Sequence, residues 1–212
     1  MIQDDANAMA TGMHGSQRHR LPIAMVAFCL LSLTGCSPKH VGWSEEVVLP
    51  DATVIVVDRT TRSIPWGEFG GPPGDKPVEL TLQIPPAATR GAPPPPQWRS
   101  TYLPLLLDHD ASAQTWSLVT MFVLCDDWRD AGRPAEYYQQ FQSRRGGAWI
   151  RVPLDDSRRG QPTNMLADLP RPGQYATTVN RWVKATQARG MYAHLQKIGV
   201  DARELCLRDV ER

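Results

Sequence analysis

Asp108-His109-Asp110, with Asp126 and Asp127 further along, could be read as part of a metal site. Hard oxygen donors with one imidazole suit a divalent cation, so a metal reading exists for these residues. The competing reading is local: Asp is what hairpin loops and strand ends prefer, because its carboxylate bonds nearby backbone N–H groups. No second histidine lies nearby, since His40 is close to the N-terminal side and His194 to the C-terminal side, and the turn reading is preferred. No metal or other cofactor is therefore expected.

Other candidate chemistry is thinner. Glu45-Glu46 are adjacent in a strand-like segment, so their side chains point to opposite faces and cannot work as a carboxylate pair. Gly67–Gly74 (GEFGGPPG) is glycine-rich like a phosphate loop, but it lacks the Lys-Ser/Thr and opens into prolines. No G-x-S-x-G, H-E-x-x-H or cysteine with a nearby histidine partner is present. Nothing in the sequence argues for catalysis, and no catalytic residue is assigned.

These residues sit in a chain of 212 residues, with 23 Lys+Arg against 22 Asp+Glu and a net charge of +1. That balance gives no basic field for nucleic acid. The 19 prolines are about twice the usual share, which favours a loop-rich β protein over a helical bundle. Leu21–Leu33 is an apolar run of 13 residues, shorter than the roughly 20 needed to cross a bilayer. Arg18, His19 and Arg20 precede it and small residues follow, the pattern of an export signal. Asp4 and Asp5 fit such a leader badly, which moves its expected start to Met13.

The run ends in Leu33-Thr34-Gly35-Cys36, which resembles the lipobox of bacterial lipoproteins. The resemblance implies cleavage before Cys36, a thioether-linked diacylglycerol on Cys36, and usually acylation of the new amino group. Two or three acyl chains make a stable membrane anchor. Ser37 follows the cysteine in place of the Asp that suggests inner-membrane retention, so the expected location is the outer membrane, facing the periplasm. Residues 1–35 are then a signal, 36–42 a tether, and 43–212 one globular domain. Cys29 leaves with the signal and Cys36 carries lipid. Cys125 and Cys206 remain for an intramolecular disulfide; two buried thiols or a bond to another chain are the alternatives.

The expected fold class is α+β: an antiparallel sheet of six to eight strands built from hairpins, with a C-terminal helical segment. Val47–Leu49, Pro50-Asp51 and Val54–Val57 read as a tight hairpin. Val78, Leu80, Leu82 and Ile84 alternate with polar residues, a half-buried strand. Ser63–Lys76 and Pro85–Pro96 read as loops. Trp98–Leu107 is a strand candidate with Pro104 at an edge or bulge, and Asp108–Gln114 a hairpin loop. Trp116–Cys125 reads as a central strand. Tyr137–Gln142 and Ala148–Leu154 flank the turn Arg144-Arg145-Gly146-Gly147. Val179, Trp182 and Val183 start a helical face, and Met191, Tyr192, Leu195 and Ile198 form a second, firmer stripe. Among the tryptophans, Trp98, Trp116 and Trp149 suit packing, whereas Trp43, Trp66 and Trp128 suit exposed contacts.

Trp43-Ser-Glu-Glu-Val-Val-Leu-Pro-Asp, Val54–Asp58 and the later Gly132-Arg-Pro…Tyr138…Phe141…Trp149-Ile-Arg-Val-Pro resemble a group of uncharacterised proteobacterial proteins. Ala52 stands where that group often has glycine. The resemblance implies the hairpin-rich sheet and no activity. The expected role is a non-enzymatic interaction or accessory module of the envelope, bound to the membrane through the lipid and available to an envelope protein partner. The alternative is a periplasmic ligand-binding or hydrolytic protein with a site near Asp108–Asp127.

Overall fold

Alternation of apolar and polar residues builds the first hairpin. β1 (Lys39–Val48) pairs antiparallel with β2 (Val54–Trp66), turning Trp43, Glu45, Val47, Ile55, Val57 and Arg59 inward and Ser44, Val54, Val56 and Asp58 outward. The turn is closed by Asp51, whose carboxylate accepts from Thr53 N at 2.9 Å. Ala52 there has φ +64°, a left-handed conformation that glycine adopts more readily.

The computed structural model describes residues 37–67, 74–89, 91–171, 174, 178–187, 195–199 and 206–207, all within one compact unit spanning 37–212. Residues 1–36, including Cys36, lie outside the described residues, as do most of Gly67–Gly74, Met191, Tyr192 and His194.

Two four-stranded antiparallel sheets make up the fold. Sheet A has the order β1-β2-β3-β4, with β3 Gly74–Gln83 and β4 Trp98–Ser100. Sheet B has the order β5-β6-β7-β8, with β5 Tyr102–Asp110, β6 Thr115–Phe122, β7 Tyr138–Arg144 and β8 Ile150–Val152. The expected single strand Trp98–Leu107 is thus two strands, and the chain changes sheets at Thr101. The loop expected over Ser63–Lys76 is strand at both ends: β2 runs on to Trp66 and β3 starts at Gly74, with a register shift between Arg62 and Ser63. Residues of both sheets share one apolar core. Every residue of β6 is buried, as a central strand requires.

Three further expectations are corrected. The strand read as Trp116–Cys125 stops at Phe122, and α1 (Cys125–Asp130) follows, burying Trp128 and directing its Nε1 to Pro134 O at 3.1 Å. Trp43 is buried as well, leaving Trp66, 44% exposed, as the one exposed member of the trio expected to make contacts. In α2 (Arg181–Gln187) the helix starts after Val179, because the Asn180 carboxamide caps it, accepting from Trp182 N and Val183 N. Val179 instead pairs with the open edge of β1, while Trp182 is 70% exposed. Of the second stripe, Leu195 enters the core from a 3-10 turn and Ile198 from a short bridge against residues 161–162, while Met191 and Tyr192 lie outside the described residues.

Candidate functional site

The acidic clusters do not converge. Asp108 pairs with Arg158, and Asp110 Oδ1 accepts from Ser112 N, Ser112 Oγ and Ala113 N, closing the β5–β6 turn. Those bonds, Ser112 foremost, hold the Asp110 carboxyl below its ordinary range. Asp126 pairs with Arg129, and Asp127 with Lys76 at 2.8 Å. The bond to Asp127 raises the Lys76 ammonium's pKa. The two clusters flank opposite ends of β6, roughly 25 Å apart at strand rise. Among the described residues no three His, Cys, Asp or Glu side chains gather as a metal site would need. His109 lies flat on Trp116, ring centroids 4.3 Å apart. Cys125 and Cys206 are bonded to each other, Sγ–Sγ 2.01 Å.

The groups that do converge lie where β1's edge meets the crossover 163–168 and α2. Asn164 sets that meeting. Its Oδ1 accepts from Leu107 N at 2.9 Å, and its Nδ2 donates to Leu107 O at 2.7 Å and Val48 O at 2.9 Å. One carboxamide thereby satisfies the edge of sheet B and the end of β1 together. Two residues on, Leu166 N donates to Glu45 Oε1 at 3.1 Å, and Leu166 O accepts from Arg59 Nη1 at 2.9 Å.

Glu45, fully buried, is the hub. Its Oε2 accepts from Trp43 Nε1 at 3.0 Å and Arg59 Nη1 at 2.9 Å. The Arg59 guanidinium carbon is 4.9 Å from the Trp43 ring centroid, a cation–π approach. Arg59 is 1% exposed, and its Nε and Nη2 have no hydrogen-bond acceptor among the described residues. Lys184 reaches in from α2, donating to Asn164 O at 2.7 Å and to Glu46 O, with Glu45 Oε1 at 3.8 Å. Burial pushes the Lys184 pKa down, and Glu45 partly opposes this.

Over this network lies a cleft of about 230 Å³, walled by Asn164, Met165, Leu166, Asp168, Arg181 and Lys184. A depressed lysine in a cleft is a common sign of covalent or acid–base work. Here the ammonium hydrogens are already directed at two carbonyls and a carboxylate, so Lys184 acts as a clamp fixing α2 to β1. Glu45 faces donors on both oxygens. The arrangement can hold a segment or a small group, but it sets no nucleophile beside a base.

Glu45 and Arg59 were the residues sequence reasoning passed over as a pair. The signal was there: both fall on the inward phase of W-x-E-x-V and I-x-V-x-R, where a charge must find a partner. Comparison with protein-family models, with curated proteins and with solved structures gives no match.

Proposed function

We propose that the chain is a bacterial lipoprotein held at the outer membrane through Cys36, working as a non-enzymatic interaction or accessory module of the envelope. The observation that carries this reading is the end of sheet A at which β1 begins. β1 begins three residues after Cys36, a span of at most ~10 Å. The antiparallel register brings Lys39, Trp66 and Lys76 to the same end, with Lys76 Nζ 5.2 Å from the Trp66 ring centroid. Lys39 is paired there with Asp75 and Lys76 with Asp127, so the feature that suits the headgroup level of a bilayer is the exposed Trp66 ring.

A second line of support is negative for the hydrolytic alternative: the acidic residues of Asp108–Asp127 serve turns and ion pairs at opposite ends of β6. The finer fold class, α+β with a C-terminal helical cover, belongs to the same proposal and is supported by α2. No described helix is long and apolar enough to cross a membrane.

Mass analysis of the N-terminal peptide from membrane-extracted protein tests the reading. It should begin at Cys36 and carry a diacylglycerol. A peptide from the membrane fraction that runs through an unmodified Cys36 would overturn it. Crosslinking in intact cells, followed by identification of the bound envelope proteins, then tests the module's role.

A further inference from the structure

Four consecutive prolines, Pro93, Pro94, Pro95 and Pro96, lie between the turn Pro86–Ala88 and the start of β4. Each ring fixes φ at about −65°, and each proline that precedes another is driven to an extended ψ, so the run forms a polyproline II strap. Such a strap turns once in about three residues and rises about 3.1 Å per residue. The exposure of the rings fits this: Pro95 is buried, while Pro93, Pro94 and Pro96 are exposed. Two contacts pin the strap. Trp149 Nε1 donates to Pro96 O at 2.8 Å, and Gly146 lies so close that a Cβ there would stand 2.8 Å from Pro93 Cβ and 3.1 Å from Pro94 O. Trp149 itself packs on the core, which ties the strap to the body of the domain.

A strap that only covered the core would bury its rings, whereas here three of the four stay exposed. What it presents is proline rings and carbonyl oxygens. Among the described residues no donor is directed at the carbonyls of Pro93, Pro94 or Pro95. With no N–H on any of the four, the strap cannot take a partner strand through a backbone ladder. That leaves flat apolar contact with the rings and donors aimed at the carbonyls. Tryptophan and tyrosine supply both from one side chain. The chain already uses this chemistry once on itself, in the indole N–H of Trp149 on Pro96 O. Pro93 and Pro96 stand one turn apart, about 9 Å along the strap, the P-x-x-P spacing that aromatic-lined grooves take. Because the strap is held extended before any partner arrives, little ordering cost is left for binding.

We propose that the strap 93–96 is a docking ridge for a protein partner with an aromatic-lined groove of the kind that takes polyproline II segments. The inference names the partner class for the interaction role proposed above, on which it rests, and it does not depend on the membrane anchor.

The test puts a photoreactive residue in place of Gln97, exposed at the end of the strap, in the full chain and irradiates intact cells. A discrete protein adduct should form, and Pro93→Ala/Pro96→Ala should lower its yield about tenfold, on the scale of two lost ring contacts. The double variant keeps the Pro96 carbonyl that Trp149 binds, and an unchanged urea midpoint shows that it folds; if the midpoint falls, the next measurement decides alone. The captured protein, purified, should bind a free peptide of residues 92–97. That peptide has no aromatic residue, so a saturable change in tryptophan or tyrosine fluorescence reports the partner's own groove. A yield that survives the folded double variant, or a captured protein whose fluorescence ignores the peptide, would overturn the proposal. Adducts from a photoreactive residue at Trp182 with none from Gln97 would overturn it too, while leaving the interaction role standing. No adduct from either position would count against both.

Discussion

Replacing Glu45 by alanine strips the acceptor from three donors at once: Trp43 Nε1, Arg59 Nη1 and Leu166 N. It also leaves the Arg59 guanidinium buried beside no carboxylate. Breaking a buried pair from one side costs about 3–5 kcal/mol, most of it the stranded charge. For a domain of this size that lowers Tm by roughly 6–20 °C. Glu45→Gln should do little better. Both carboxylate oxygens face donors, Trp43 and Arg59 on one and Leu166 N and Lys184 on the other, so either amide orientation sets an NH₂ against N–H groups. Removing both charges in Glu45→Leu/Arg59→Met should recover most of the loss, to within about 2 kcal/mol of the parent. Equilibrium urea unfolding at pH 7 reads all of these as shifts in midpoint at constant slope. A Glu45→Ala penalty under about 1 kcal/mol, or a double variant as unstable as the two single losses added, would refute the assignment of Glu45 as hub.

Other outcomes follow from single contacts. Gly146 has φ +72°, and a Cβ there would lie 2.8 Å from Pro93 Cβ; Gly146→Ala should cost about 2–3 kcal/mol in the same urea assay. Replacing Cys125 and Cys206 by alanine opens a loop of 81 residues and should cost about 4.5 kcal/mol on loop entropy; two reactive thiols in the denatured, unreduced parent would remove its basis. Burial pushes the Tyr137 hydroxyl up to about 12. Between the ordinary value near 10 and 12 the unfolded chain has lost this proton and the folded chain has kept it. Stability is therefore full below about pH 10 and falls as pH rises toward 12, by up to about 2 kcal/mol. Tyr137→Phe should flatten that slope, measured by thermal unfolding from pH 9 to 12.

Where one face of a strand is buried, the sequence pattern carried the information. The β1–β2 hairpin, the opposed directions of Glu45 and Glu46, and the fully buried β6 were all legible, because period-two alternation or its absence reports burial directly. Legibility failed where long-range partners override local signals. Pro65 and Pro77 suggested a loop, yet backbone pairing across the hairpin carries both strands through them with one irregularity in register. The spacing of Val179, Trp182 and Val183 suggested one helical face, but Asn180 starts the helix after Val179, which the edge of β1 takes as a pairing partner. Trp128 sat beside turn residues and is buried because Cys125–Asp130 coils into a helix. The convergence on Glu45 was the least legible feature: its partners come from Trp43, Arg59, Leu166 and Lys184, and no local pattern announces which distant segment supplies them.

That dispersion has a kinetic side. The contacts completing β1 join residues far apart in the chain: Glu45 to Leu166 across 121 positions, Val48 to Asn164 across 116, and Glu46 to Lys184 across 138. A chain emerging N-terminus first forms the β1–β2 hairpin early, with a carboxylate and a guanidinium on the face meant for the interior. That face stays wet until the last quarter of the polypeptide arrives. Such high contact order slows folding and leaves the hairpin's unpaired edge open to other strands in the interval. The residues at 164–184 thus act as the closing step of assembly, and truncation before Asn164 should yield an aggregation-prone fragment rather than a smaller folded domain.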